Sequence, residues 1–218
     1  AYENKELERG YKENDSLGGY DPYSSSKGCA DLLANSYRNS FFNPAEYKKS
    51  HNTLLASCRA GNVIGGGDWA KDRLISDIMV AASQGKKVSI RNPHATRPWQ
   101  HVLEPLSGYL QIGQKLLQEK VEYGDAWNFG PSDEGSTTVE EVVKNVKDHW
   151  NNFEYEFNKE LNQPHEARLL KLDCAKANKL LSWHMVWDNK KTFEKTVMWY
   201  KSFYEKQKVL TNFHLQDY

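Results

Sequence analysis

The stretch G-G-Y-D-P-Y-S-S-S-K-G-C-A-D, at residues 18–31, predicts the start of a helix. Asp21 suits the N-cap position, and Pro22 suits the first helical position. Apolar residues then recur at the spacing of one helix face, at Ala30, Leu33, Ala34 and Tyr37. Tyr23 and Lys27 therefore lie one turn apart on one face, with Cβ atoms about 5 to 6 Å apart, where they can act as a pair.

A tyrosine paired with a lysine can serve as a base. A phenol with a reference pKa near 10 is a poor base at neutral pH, and moving that pKa to about 7 takes about 4 kcal/mol. A neighbouring ammonium group, helped by a positively charged nicotinamide, can supply this energy. The alternative is that Tyr23 packs and Lys27 is solvated, as in most isolated Y-x-x-x-K patterns. Three serines separate the pair, and such weak helix formers leave the approach to Tyr23 open.

The composition excludes several classes of function. Lys plus Arg equal Asp plus Glu at 29 each, so no overall charge favours a nucleic acid or an anionic membrane as partner. Three scattered cysteines fit neither a disulfide framework nor a metal site. The chain has no apolar run of about 20 residues, and its polar first residues are unlike a signal peptide. We therefore expect a globular, cytoplasmic protein without a resident metal.

Helical and strand patterns alternate along the chain. A continuous apolar run at 54–64 predicts one strand that is buried on both faces and ends at three glycines, 65–67. The later segments predict, in order, a helix at 74–84 that stops at Gly85, a strand at 87–91, a helix at 102–117 and a strand at 126–129. This alternation predicts an α/β fold with a mainly parallel sheet.

The last third of the chain continues the same pattern. Thr137 and Glu140 predict a capping box before a helix with a valine stripe, followed by a strand at 154–157. Two short helices are predicted to begin near Asp173 and Asn189, and residues after about Lys206 are expected to be loosely ordered. The aromatic residues predicted to be buried are Trp99 and His101, packed around Arg97, and Trp150, Trp183, Trp187 and Trp199.

Four motifs in order carry a resemblance to a known family. After Y-S-S-S-K come R-A-G-N-V-I-G-G-G-D-W from Arg59, R-P-W-Q-H-V from Arg97 and W-N-F-G-P from Trp127. Together they resemble the extended short-chain dehydrogenases/reductases, in the NAD-dependent epimerase/dehydratase group. The resemblance implies the C-terminal part of a Rossmann-type parallel sheet plus a smaller mixed α/β substrate-binding domain. Residues 1–64 and 99–131 would belong to the NAD-binding domain, and residues 65–98 and 132–218 to the nucleotide-sugar domain.

The amino-acid sequences of the motifs imply a reaction. The stretches G-N-V-I-G-G-G-D-W-A, I-R-N-P-H-A-T-R-P-W-Q-H-V-L-E-P and P-H-E-A-R-L-L-K-L-D are most similar to members of the family that act on CDP-glucose. They imply a lyase that oxidises C4 with bound NAD, eliminates water and returns the hydride, which gives CDP-4-keto-6-deoxyglucose for deoxysugar and O-antigen biosynthesis. Two alternatives stay open: an epimerase or dehydratase for another nucleotide sugar, and a non-catalytic protein that binds a nucleotide sugar or NAD.

The resemblance also implies roles for single residues. Tyr23 would take the proton of the glucose 4-hydroxyl, and Lys27 would hold the nicotinamide ribose and favour the ionised phenol. Val63 would lie beside the cofactor. The residues that would contact the substrate are Asn62, Arg73, Leu74, Val88, Ile90, Arg97, Asn128 and His165.

These assignments differ in strength. Arg97 matches the arginine that meets the diphosphate, and a planar guanidinium suits two phosphate oxygens. Asn62 can equally be a turn residue beside a glycine, and a solvated charge is the usual reading of a lone arginine such as Arg73. His165 and Glu166 follow a proline in a loop, where a surface position is as plausible as a contact with the nucleotide.

One expected feature is missing from the sequence. No glycine-rich turn with the spacing G-x-x-G-x-x-G occurs, although pyrophosphate binding in this fold uses one. The family's Thr and its acid and base for elimination precede Y-x-N, which residues 2–4 resemble. We therefore expect the C-terminal part of a longer enzyme, with an exposed sheet edge, that alone neither holds NAD tightly nor completes a cycle. Relatives pair through the helix that starts near Tyr23, so a homodimer is also expected.

Overall fold

The computed structural model of the chain describes residues 1–131, 136–158 and 170–218. Helices and strands alternate through this part of the chain. In order they are α1 Pro22–Ser40, β1 Ser57–Ala60, β2 Asn62–Ile64, α2 Leu74–Gln84, β3 Lys87–Ile90, β4 Thr96–His101, α3 Leu103–Leu117, β5 Ala126–Phe129, β6 Ser136–Thr138, α4 Val139–His149, β7 Glu154–Phe157, α5 Ala175–Leu181, α6 Asn189–Lys206 and α7 Thr211–Asp217. Among these helices, none combines the length and the apolar character that crossing a membrane requires.

The strands form three small sheets that are mainly parallel. β1 pairs in parallel with β5, and β3 pairs in parallel with β7. The third sheet has the order β2-β4-β6, with β2 parallel to β4 and β6 antiparallel to it. The prediction of an α/β fold with a mainly parallel sheet is thus confirmed. Within the described part of the chain β1 bonds to β5 alone, so its other edge is unpaired there.

The apolar run at 54–64 is two strands, so the prediction of one continuous strand is wrong. β1 and β2 are separated by Gly61, and they pair with different partners in different sheets. A Cβ atom at Gly61 would lie 2.7 Å from the carbonyl oxygen of Pro98. The backbone therefore passes β4 more closely than a side chain permits, and it changes sheets at this residue.

The ends of the helices follow local chemistry in most places. Asp21 caps α1 by accepting the backbone N–H groups of Tyr23 and Ser24, as predicted. α2 stops at Gly85, which adopts a left-handed conformation with φ of 61°. The cap of α4 is different, because the capping box is Thr138 with Glu141, one residue later than predicted.

The shift of this capping box has a tertiary cause. Thr137 still belongs to β6, where it pairs with Arg97 of β4. Its hydroxyl accepts a hydrogen bond of 2.5 Å from the side chain of Asn189 at the start of α6. Because Thr137 is engaged by two distant segments, the next threonine caps the helix. The valine stripe of α4 is buried as predicted, at Val139, Val142, Val143 and Val146.

Two predictions for the C-terminal segment are wrong. The helix α6 is 18 residues long rather than short. The residues after Lys206 are also ordered, because they form α7 and end in a residue that contacts the start of α3. The hydroxyl of Tyr218 donates to Glu104 Oε2 at 2.9 Å. Fully buried Glu104 also accepts the backbone N–H groups of Val186 and Trp187, at 3.0 and 2.8 Å. The end of the chain therefore helps to satisfy a buried carboxylate at the start of α3.

Two hydrophobic clusters hold the structure together. The first core surrounds β1 and β5, and its buried members are Tyr2, Tyr11, Ile112, Trp127, Phe129, Leu172, Cys174, Ala177 and Trp183. The second core lies between α2, α4 and α6 and includes Trp99, Trp150 and Trp199. Residues 172–183, assigned by sequence to the nucleotide-sugar domain, pack in the first core. The division into two domains stays a prediction, whereas the predicted burial of the tryptophans is confirmed.

We predict opposite effects for two Gly→Ala substitutions. A Cβ at Gly66 would overlap the ring of Trp199 in the second core, so Gly66→Ala should cost about 1 to 3 kcal/mol by overpacking. Gly113 lies inside α3, and beyond the backbone of its own helix no atom lies within 4 Å of its Cβ position. The substitution Gly113→Ala should therefore stabilise the protein by about 1 kcal/mol. Thermal unfolding checks both predictions, because the melting temperature shifts by about 2 to 4 °C for each kcal/mol of stability. A Gly66→Ala protein that melts at the parent temperature would contradict the close packing of Trp199.

Candidate active site

A large cleft of about 1800 Å³ lies beside the first turns of α1 and α2. Strands β1, β2 and β3 supply much of the remaining wall. The residues on this wall that the sequence predicted are Tyr23, Lys27, Asn62, Val63, Arg73, Leu74, Val88, Ile90 and Arg97. The fold therefore brings nine predicted residues, from five different segments, to one cleft.

The Tyr23–Lys27 pair lies on the first turns of α1. The ammonium nitrogen of Lys27 is 5.4 Å from the centre of the Tyr23 ring, within cation–π range. Tyr23 is 72% exposed, so its ring is accessible from the cleft. The capping box of Asp21 and Ser24 fixes the backbone beside it. The pair is thus held by a well-formed helix start and open to a ligand.

Asn62 and Val63 lie on β2, directly after the turn at Gly61. Both side chains are half-buried and line the cleft. Asn62 pairs in register with Trp99, and Val63 pairs with Gln100. This is the edge of an α/β sheet at which ligands commonly bind, outside the carboxyl ends of parallel strands.

The two predicted arginines occupy different environments. Arg97 on β4 is only 9% exposed, and its guanidinium donates to the carbonyl of Thr96 at 2.9 Å. Arg73 precedes α2, and its 62% exposed side chain forms an ion pair of 3.0 Å with Asp68. A buried guanidinium binds an anion more strongly than an exposed one, because water screens it less. Leu74, the first residue of α2, follows Arg73 along the wall.

Two of the predicted substrate contacts, Val88 and Ile90, lie on β3. Val88 is half-buried, whereas Ile90 is almost fully buried in the second core. In the described residues β3 bonds only to β7, so it is an edge strand there. An edge strand offers backbone donors and acceptors to a base.

Asn128 does not lie on the wall of the cleft. Its side chain is fully buried, with Oδ1 accepting from the Tyr2 hydroxyl at 2.7 Å. Its Nδ2 donates to the carbonyls of Tyr11 and Asp173, at 2.8 and 3.1 Å. The structure therefore uses this amide to join three segments, and its contact with substrate stays a prediction. His165 and Glu166 lie outside the described residues.

Sequence reasoning missed a largely buried ion pair on the wall of the cleft. Arg59 Nε lies 2.5 Å from Asp31 Oδ2, and both side chains are 10% exposed. A signal existed, since Asp31 follows Lys27 by one helical turn and lies on the same face as the Tyr23–Lys27 pair. Its partner could not be found from local spacing. Among the described residues, no group of three or more His, Cys, Asp or Glu side chains is arranged to hold a metal.

His101 lies in a buried aromatic cluster away from the cleft wall. Its ring centre is 4.8 Å from that of Trp187 and 6.1 Å from that of His214. Its Nδ1 accepts the backbone N–H of Leu103 at 3.3 Å. Burial, reinforced by His214 and Lys195, lowers the pKa of His101 to about 4. Trp99 is buried as well, with Phe193 as its ring partner.

We predict that His101 makes the protein less stable in acid. Above pH 6.5 the ring is neutral in both the folded and unfolded states, so it adds no pH dependence. As the pH falls from 6.5 to about 4, only the unfolded state takes up the proton, and about 3 kcal/mol of stability is lost. His101→Asn should reduce the loss measured by urea unfolding between pH 7 and 4 by about that amount. Parallel pH curves for the two proteins would contradict this.

The fold first defines the class of protein. The chain superposes on a crystal structure of a UDP-glucuronic acid 4-epimerase from Bacillus cereus with a TM-score of 0.74 and 16% identity, covering 91% of this chain and 58% of that one. A dTDP-glucose 4,6-dehydratase from Bacillus anthracis, in complex with NAD, gives a TM-score of 0.69 at 22% identity, covering 91% and 58%. At these identities the likeness establishes the shared Rossmann-type fold.

The sequence comparison then identifies the family. A profile described as GDP-mannose 4,6 dehydratase matches residues 4–197, and the chain belongs to this family. The CDP-glucose 4,6-dehydratase of Salmonella typhimurium is 53% identical over 203 residues, which are 93% of this chain and 56% of that protein. The resemblance seen in the motifs is thus confirmed. The chain spans little more than half the length of the relatives it matches.

Proposed function

We propose that this chain carries the nucleotide-sugar side of the active site of an NAD-dependent lyase that converts CDP-glucose to CDP-4-keto-6-deoxyglucose. The observation that carries the proposal is the convergence of Tyr23, Lys27, Asn62 and Arg97 on one cleft. The 53% identity to a CDP-glucose 4,6-dehydratase supports this substrate over other nucleotide sugars.

The residues of the cleft fit one end of NAD. The exposed phenol of Tyr23, the ammonium group of Lys27 and half-buried Val63 line the same cleft, and they would hold the nicotinamide ribose. The sequence contains no glycine-rich turn for the pyrophosphate, so this chain supplies only the nicotinamide end of the binding site. When bound, NAD supplies the hydride acceptor for C4 and later the donor for C6.

The proton transfer of the oxidation is assigned to Tyr23. Tyr23 would accept the proton of the glucose 4-hydroxyl on its phenolic oxygen as C4 is oxidised. Lys27, whose ammonium group lies over the Tyr23 ring, would hold the ribose hydroxyls. Asn62 orients the sugar through its amide. The loss of water across C5 and C6 needs a base for the C5 proton and an acid for the C6 hydroxyl, and the later reduction at C6 needs a proton returned to C5.

The nucleotide is assigned to the other wall of the cleft. Arg97 binds the diphosphate with two donors of its guanidinium, and Arg73 adds a second positive charge. Leu74, Val88 and Ile90 form the nucleoside side, and Asn128 and His165 remain candidates for further contacts. The buried position of Arg97 favours it as the main anchor of the diphosphate.

A homodimer in the cytoplasm completes the proposal. Large apolar side chains on α1 are exposed, namely Leu32, Leu33 and Tyr37, and so is Phe41 directly after it. An exposed apolar helix face of this kind supports pairing with a second copy, because such patches usually mark interaction sites.

A chimera tests the function. In the Salmonella relative, the segment that this chain matches is replaced by the chain itself, and the product is called the chimera below. Incubation with CDP-glucose should give a 4-keto sugar, with the unmodified relative as a positive control. Because the chain supplies the nucleotide wall, the preference among CDP-, UDP- and dTDP-glucose reports on this chain. A chimera that turns over UDP- or dTDP-glucose but never CDP-glucose would overturn the substrate assignment.

A further inference from the structure

A buried ion pair connects the helix of the Tyr23–Lys27 pair to the strand beside it. Arg59 on β1 and Asp31 on α1 are joined at 2.5 Å, with both side chains 10% exposed. Burying two charges costs several kcal/mol per ion, and breaking such a pair leaves an uncompensated charge. An ion pair in this position therefore constrains the two elements that carry it.

The pair lies close in sequence to the predicted catalytic residues. Asp31 follows Lys27 by four residues and Tyr23 by eight, so all three share one face of α1. Arg59 precedes Asn62 by three residues, across the turn that leads into β2. The pair thus fixes the face of α1 that carries the phenol and the ammonium against the strand that leads to the sugar-binding amide.

Few other anchors hold α1. Gly28 and Arg38 are its buried residues, and Arg38 meets Asp125 at 3.5 Å near the far end of the helix. The start of α1 depends on Asp31 and on the close approach of Gly28 to the first residues, where its Cβ position is 3.3 Å from the Ala1 carbonyl.

Arg59 is itself held by a chain of hydrogen bonds. Its NH1 donates to the Tyr2 hydroxyl at 2.7 Å and to the Glu13 carbonyl at 3.0 Å. The Tyr2 hydroxyl in turn donates to Asn128, the register partner of Arg59 on β5. Burial raises the pKa of Tyr2 to about 12, so its hydroxyl keeps the proton that it donates. The amide of Asn128 therefore ends a network that orients the guanidinium.

We propose that Asp31 and Arg59 are positioning residues for Tyr23 and Lys27, and that Tyr2 and Asn128 orient Arg59 for this task. The proposal rests on the proposed function of the cleft. Loosening the pair lets the start of α1 shift, which misplaces the phenolic oxygen relative to glucose C4. A misplacement of about 1 Å costs about a hundredfold in rate. Arg97 lies on another element, so binding of the nucleotide is unaffected.

The test compares five variants of the chimera. Asp31→Asn and Arg59→Gln should each lower kcat by about ten- to a hundredfold and leave the Kd for CDP within about threefold. The double variant should lose no more than the worse single variant, because the two residues act as one unit. Arg38→Lys, which changes the other anchored end of the same helix, is the matched control and should keep kcat. Asp31→Glu, which retains the charge, should recover part of the rate.

The outcomes separate this inference from the proposed function. If Asp31→Asn turns over normally while Tyr23→Phe is inactive, the function stands and the positioning role is wrong. If Tyr23→Phe is fully active, the proposed function itself fails. If Asp31→Asn loses CDP binding and turnover together, and Asp31→Glu recovers neither, the pair only maintains the fold, and the positioning role is again overturned.

Discussion

Tyr23→Phe should lower the kcat of the chimera at least a hundredfold. The substitution removes one oxygen from a side chain that is 72% exposed on the wall of the cleft, so the fold should not change. Positioned proton transfer contributes about 10²- to 10⁴-fold to enzymatic rates. Steady-state formation of the 4-keto sugar measures kcat, and the Kd for CDP should remain that of the parent. Loss of turnover with intact binding would separate a catalyst from a binding module.

Tyr20→Phe is the matched control for this experiment. Tyr20 also lines the cleft and is even more exposed, at 81%, but it precedes the helix. It lies outside α1, so it does not share the helical spacing that places Lys27 one turn after Tyr23. We expect less than a twofold change in kcat. Equal losses in the two variants, or a Tyr23→Phe protein with more than a tenth of the parent rate, would contradict the role of Tyr23.

Arg97→Ala should weaken binding of CDP about a hundredfold. Hydrogen bonds to charged groups contribute about 1.5 to 3 kcal/mol each, and two of them from one guanidinium amount to about 3 kcal/mol, or about two orders of magnitude in Kd. Arg97 is 9% exposed, so little water screens the contact. Titration calorimetry with CDP measures the effect directly on the chimera.

Two further variants sharpen this prediction. Arg97→Lys keeps the charge but loses the planar pair of donors, so about a tenfold loss is expected. Arg73→Ala removes an exposed arginine that is already paired with Asp68, and an exposed charge of this kind contributes at most about 1 kcal/mol. If Arg73→Ala weakens CDP binding more than Arg97→Ala, the assignment of the diphosphate anchor is wrong.

Some features could be predicted from the sequence because they depend on residues within one or two turns. The cap at Asp21 and the stop of α2 at Gly85 are local hydrogen-bond and backbone effects. The motif positions around Tyr23, Asn62 and Arg97 also predicted candidate site residues, nine of which lie on the wall of the cleft. These residues fall at strand ends and helix starts, which meet at one edge of an α/β sheet.

Other features depend on partners that are distant in the sequence. The split of the 54–64 run requires Pro98 beside Gly61, and the shifted capping box requires Asn189 beside Thr137. The ordered segment after Lys206 ends at Tyr218, whose hydroxyl donates to Glu104 at the distant start of α3. In each case the local pattern was compatible with the predicted structure, and a contact across the fold changed it.

The helix that carries Tyr23 and Lys27 depends both on local sequence effects and on tertiary contacts. The sequence by itself determined that the helix exists, where it begins and that its phenol and ammonium share a face, because helical spacing and capping act within a few residues. Only the tertiary structure decided which face meets the cleft and which residues hold it there. Arg59, Tyr2 and Asn128 come from three separate segments. Such partners meet only when the chain folds, and they then stay together because a buried charge without a partner is costly.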